Sequence, residues 1–130
     1  MTGRDFRPRS TEVPMKSNRN APISQVDIEE EIIRLIGDLE SETETFETLS
    51  IDAAKKESRF KSEWAKAYLS AQGSIKEREA WADYQISDPH MDWKIADGLL
   101  RAKREKLASI RSSIDALRTL NANVRAQVMS

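Results

Sequence analysis

Lys55, Lys56, Arg59, Lys61 and Lys66 interleave with Phe60, Trp64 and Tyr68 in one short stretch of the chain. Cations that track a phosphate backbone, beside rings on which bases stack, are a known means of holding single-stranded nucleic acid. The same rings also suit a small hydrophobic core, because six of the eight aromatics fall between residues 60 and 93. A second basic set, Arg101, Lys103, Arg104, Lys106, Arg111, Arg118 and Arg125, follows toward the C-terminus. Glu40, Glu44 and Glu47 share one helix face, where they could gather a hard cation or meet a protein partner. Carboxylates at that spacing are also common on plain solvated faces.

Catalytic chemistry has less to work with. The single histidine, His90, directly follows Pro89, a position that predicts a solvent-exposed helix N-terminus. A metalloprotease helix needs two histidines four residues apart, and a di-iron bundle needs Glu-x-x-His twice. The chain has no cysteine, which excludes disulfides, thiolate metal sites and thiol nucleophiles. Gly3, Gly37, Gly73 and Gly98 are each isolated, so there is no glycine-rich phosphate loop. The sequence therefore predicts a protein that is not an enzyme, with no cofactor and no metal site.

The elements that would position these groups are helical. In 130 residues, 33% are charged and 38% hydrophobic. Typical domains have about 25% and about 45–50%, so the balance predicts long exposed helices rather than a thick core. The length fits one domain. No apolar run nears the roughly 18 residues that span a bilayer, and no signal-peptide core follows Met1. These features predict a soluble cytoplasmic chain without membrane contact.

A net charge of −1 conceals segregation along the chain. Residues 1–20 carry five basic and two acidic side chains, and residues 21–50 carry one basic and nine acidic. Residues 51–80 hold seven basic and five acidic groups, residues 81–100 one and four, and residues 101–130 seven and two. Such blocks either pair between helices or chains, or remain as solvated faces.

Pro8, Pro14 and Pro22, with Arg4, Arg7, Arg9, Lys16 and Arg19 among them, predict a flexible basic arm over residues 1–22. Residues 23–130 then read as one helical domain. Ser24 and Asp27 suit a helix start. Ile32, Leu39, Phe46, Ala53, Phe60 and Ala67 recur every seven residues, with Leu35 and Leu49 on a second seam. A repeat held that long predicts a coiled-coil-like helix over about residues 24–71. Gly73 ends it, and Ser74-Ile75-Lys76-Glu77 is a capping box that restarts a short helix carrying Trp81 and Tyr84. Asp88 and Pro89 suit the cap and first position of a last helix over about residues 89–128. Its seams are Trp93, Leu100, Leu107, Ile114 and Val128, and Ala96, Ile110, Leu117 and Val124. Asn121 falls on the first seam, where a polar residue can fix register or oligomer state. The expected fold is all-α: a long antiparallel coiled-coil-like hairpin with a short helix at the bend. Trp64, Tyr68, Trp81, Tyr84 and Trp93 are expected to close its end. So thin a hairpin buries little apolar surface alone, which predicts a homo-oligomer.

The stretch from Trp64 to Asp83 (WAKAYLSAQGSIKEREAWAD) and the later Arg111–Arg125 (RSSIDALRTLNANVR) resemble small helical proteins of tailed phages, in particular the UvsY-type recombination mediators. The resemblance covers residues 55–128. It implies a non-enzymatic phage protein, acting in the host cytoplasm, that oligomerises and binds single-stranded DNA. It further implies contact with a single-strand-binding protein and help in loading a RecA-like recombinase. On it, Lys76 and Arg78 in the turn join Lys55, Lys56, Arg59, Lys61, Lys66, Arg101, Lys103 and Arg104 as DNA contacts. Ile110, Ile114, Leu117, Leu120, Asn121 and Val124 become the oligomer interface. One departure is that Asp83, Asp88, Asp92 and Asp97 make residues 81–100 acidic where the family is basic. Two other readings stand beside it. One is a structural or scaffolding coiled-coil protein of a phage particle. The other is a small inhibitor or adaptor that uses Glu40, Glu44 and Glu47 against a host protein.

Overall fold

A computed structural model describes residues 23–129, which form three helices: α1 Gln25–Ser70, α2 Ile75–Gln85 and α3 Ser87–Met129. The described residues contain no strand, and the arm expected over residues 1–22 lies outside them. Ser24 starts α1 by accepting the Asp27 amide on its hydroxyl at 3.1 Å, while the Asp27 carboxylate sits at the positive end of the helix dipole. At 46 residues, α1 is on the order of 70 Å long.

The reversal after α1 follows from local chemistry. Ala71 leaves the helix with its amide still bonded to the Tyr68 carbonyl. Gly73 then takes φ +108°, a left-handed conformation that glycine adopts without strain, and a Cβ there would collide with the Glu77 carboxylate. That carboxylate is engaged in the predicted capping box. The Ser74 amide donates to Glu77 Oε1 at 2.8 Å, and the Glu77 amide donates to Ser74 Oγ at 3.2 Å. The backbone donor first, and the Ser74 side chain second, hold the Glu77 carboxyl below its usual value.

The second break differs from the expected turn capped by Asp88. Only Ile86 leaves helical geometry, and the hydrogen-bond ladder continues through it. The Ile86 amide reaches the Ala82 carbonyl at 3.1 Å, and the His90 amide reaches the Ile86 carbonyl at 2.9 Å. Asp88 lies inside the first turn of α3. Pro89 accounts for this: it lacks the amide that would have bonded the Gln85 carbonyl, so the helix kinks without ending. Ala82, Ile86 and Pro89 are buried at the kink.

α1 and α3 pack antiparallel, as cross-contacts at three levels establish. The Phe60 ring stacks on Trp93 at 5.2 Å, the Arg104 guanidinium lies 5.7 Å from the Phe46 ring centre, and Lys103 pairs with Glu42 at 2.5 Å. Residue numbers fall on one helix as they rise on the other. The heptad positions face inward: Ala53, Ala96, Leu107, Ile110 and Ile114 are buried, and Leu39, Phe46 and Leu100 are half-buried. Val128, expected on the same seam, is 76% exposed, because the packed seam ends near Ile28 and Asn121.

Asn121 interrupts an otherwise apolar seam. It is 8% exposed, and its side-chain oxygen has no hydrogen-bond donor. Leaving such an acceptor unpaired costs about 1–3 kcal/mol. A polar group at a seam position disfavours shifted pairings, in which it would meet still more hydrocarbon.

Candidate functional site

The hairpin sorts the cations more severely than the linear sequence does. Its antiparallel course lays the acidic first part of α1 beside the basic last part of α3. It also lays the basic second half of α1 beside the acidic start of α3. Lys56 pairs with Asp52, Lys61 with Glu57, and Arg101 with Asp97 along their own helices. Arg59 lies 3.9 Å from Glu63 and 3.8 Å from Asp92 across the hairpin. Lys103 and Lys106 both converge on Glu42. Arg78 donates to the Gly73 carbonyl at 3.2 Å and lies 6.0 Å from the Tyr68 ring centre, which braces the turn. Of the ten expected nucleic-acid contacts, Lys55, Lys66 and Lys76 are exposed without a carboxylate partner, and Arg104 rests on Phe46. Lys55 and Lys66 lie on α1, and Lys76 lies on α2.

Lys103 and Glu42 occupy seam positions, each about one-fifth exposed, so this ion pair sits between the helices rather than on the rim. The hydrogen bond from Lys103 holds the Glu42 carboxyl below its ordinary value of 4.5, against the opposing effect of burial. A carboxylate lowered in this way contributes stability above its unfolded pKa and loses it as pH falls through the folded one. Melting temperature should therefore fall as the pH drops below the ordinary carboxylate value of 4.5. Glu42→Gln should flatten part of that acid limb when melts are followed by circular dichroism. Parallel acid limbs in the two proteins would show that the pair adds nothing to the pH dependence.

The α3 set resolves into one arginine file. Arg104, Arg111, Arg118 and Arg125 recur every seven residues, so a supercoiled helix places them on one edge at steps of about 10.5 Å. All four are exposed. Arg118 alone has a carboxylate near it, Asp115 at 3.7 Å. Arg111 and Arg118 border a shallow groove of about 270 Å³ whose floor includes Ile36, Leu39 and Ile114. The spacing was present in the sequence. What the sequence did not reveal is that Lys103 and Lys106 are drawn to Glu42 while Arg104, Arg111 and Arg125 have no carboxylate partner.

The rings divide in the same way. Phe60, His90 and Trp93 stack, with Phe60–His90 at 4.9 Å, so His90 is half-buried rather than solvent-exposed as expected. Trp64 stacks on Tyr68 and donates its indole N–H to Asp83 at 2.9 Å, which ties α2 to α1. Trp81 and Tyr84, expected in the closing core, are 46% and 73% exposed on the outer side of α2.

The expected oligomer contacts lie largely along the face that α3 turns to α1. Ile110, Ile114 and Asn121 are buried there within one chain, while Leu117, Leu120 and Val124 are half-buried. Glu40, Glu44 and Glu47 are exposed along α1, and no three or more His, Asp or Glu among the described residues are grouped to hold a metal ion. Nor is any described helix long and apolar enough to cross a membrane. Comparison with protein-family models, with curated proteins and with solved structures finds no match.

Proposed function

We propose that the protein is a non-enzymatic single-stranded DNA-binding protein of the recombination-mediator kind, with the arginine file of α3 as its phosphate-binding edge. The observation that carries this reading is the file itself: four exposed arginines in line, three of them with no carboxylate partner. A stacked strand presents a phosphate about every 3.4 Å, so steps of about 10.5 Å meet every third one. Arginine suits the task because its planar guanidinium donates two parallel hydrogen bonds to a phosphate. Contact with a single-strand-binding protein and the loading of a RecA-like recombinase come from the resemblance of residues 55–128 to UvsY-type mediators. The scaffolding reading is favoured by a different observation, the exposed apolar side chains Met91, Ile95 and Leu99 on α3.

Fluorescence anisotropy of a labelled oligonucleotide across a salt series tests the proposal. Four neutralised phosphates predict a slope of log K against log salt of about −3, since each contributes about −0.7 on a single strand. Duplex DNA of equal length serves as the comparison. A flat salt dependence, or no binding at low salt, would discard the nucleic-acid reading.

A further inference from the structure

The shallow groove beside the arginine file has a chemistry that phosphate binding alone does not use. Ile36 and Leu39 of α1 line it together with Arg111, Ile114, Asp115 and Arg118 of α3. Among these lining residues the charged ones all come from α3. Ile114 is buried, Leu39 is half-buried and Ile36 is 37% exposed, so the floor is hydrocarbon open to solvent. Arg111 and Arg118 stand one heptad apart at the rim, about 10.5 Å along the helix.

The file does not account for Asp115. From residue 106 to residue 129 it is the only acidic side chain, in a stretch that carries Lys106, Arg111, Arg118 and Arg125. It follows Arg111 by four residues and precedes Arg118 by three, so it lies on the helix surface between the two. A carboxylate there repels a phosphate. Its side chain is 76% exposed, and among the described residues it pairs with Arg118 alone, at 3.7 Å, longer than a hydrogen bond. Its acceptor capacity is therefore open at the groove.

We infer that the groove is a base-reading subsite for a single strand. One unpaired base lies on Ile36, Leu39 and Ile114, Arg111 and Arg118 hold phosphates on either side, and Asp115 accepts a hydrogen bond from the base's amino group. This rests on the file binding single-stranded DNA, and adds which bases that strand favours. Arginine steps of about 10.5 Å span three nucleotides, which leaves the bases between the held phosphates free to turn toward the floor. Unstacked bases are held by apolar side chains against their faces and polar groups against their Watson–Crick edges, the combination found here. Cytosine and adenine carry an amino donor on that edge. Thymine and uracil instead flank one ring N–H with two carbonyl oxygens, which repel a carboxylate. In a duplex the edge is already paired, so the base cannot enter.

Fluorescence anisotropy of the intact chain at mildly basic pH, where cytosine is neutral, compares oligo-dC with oligo-dU of equal length. These pyrimidines differ only at the edge that Asp115 meets. The wild-type chain should bind oligo-dC about 5-fold more tightly, the worth of one hydrogen bond. Asp115→Asn supplies an amide that donates as well as accepts, so the ratio should fall below about 2-fold, chiefly through better oligo-dU binding. A role for Asp115 through charge alone would improve both strands equally and keep the ratio. Ile36→Ser should weaken oligo-dC binding about 3-fold and leave the salt slope unchanged, because both arginines keep their phosphates. Equal affinity for the two strands with a steep salt slope, or a ratio that survives Asp115→Asn, would overturn the inference and leave the arginine file standing. Failure to bind either strand would overturn both together.

Discussion

Replacing Ile114 by aspartate is expected to abolish the cooperative thermal transition and expand the chain. Ile114 is 4% exposed and floors the groove between Ile36, Leu39 and the arginines of α3. Truncating a buried isoleucine costs about 2–5 kcal/mol before any charge is considered. Burying an unpaired carboxylate adds several kcal/mol more. A domain's whole stability is about 5–15 kcal/mol, and a two-helix seam should lie near the low end. Residual helicity can persist in chains as long as α1 and α3, so the readouts are melting cooperativity and hydrodynamic radius rather than ellipticity alone. Ile95→Asp, on the exposed outer side of the same helix, is the control and should melt cooperatively. If Ile114→Asp also did so at near wild-type temperature, the α1–α3 seam would not be the source of stability.

The second large effect concerns ligand binding with the fold kept intact. Arg111→Glu, Arg118→Glu and Arg125→Glu together should weaken single-stranded DNA binding at least about 100-fold at low salt and bring the salt slope near zero. Three phosphate contacts are lost, and three like charges replace them along the same edge. All three side chains are exposed, so helicity and melting should change little. The companion variant Lys55→Glu, Lys66→Glu and Lys76→Glu reverses the lysines without a carboxylate partner on α1 and α2 and should cost much less. If the two variants exchanged roles, the phosphate-binding edge would lie along α1 and the turn, where the interleaved rings first suggested it.

The periodic and local features of the fold were legible from residue order alone. Ile32, Leu39, Phe46, Ala53 and Phe60 mark one inward face of α1, because a seven-residue repeat depends only on helix geometry. Ser24 at the start of α1, and Gly73, Ser74 and Glu77 at the reversal, make contacts within a few residues of themselves, so their types suffice to place the helix ends. A connection that short leaves the two long helices no choice but to run antiparallel. The absence of cysteine and the single histidine likewise bounded the available chemistry before any folding was considered.

What residue order could not supply was the pairing across the hairpin. Whether Lys103 is a free cation or the partner of Glu42, 61 residues away, depends on the register between α1 and α3. That register is set by the whole seam at once, including the small Ala53 and Ala96 and the buried Asn121. It binds Arg59 to Asp92 and seats Arg104 on Phe46, while leaving Arg111 and Arg125 without carboxylates. The kink at Ile86 had a similar effect on the rings. By continuing the helix where a turn was expected, it drew His90 onto Phe60 and turned Trp81 and Tyr84 outward. Charge type and helical phase are written locally, but neutralisation and exposure belong to pairs of distant residues and are decided only when the helices pack.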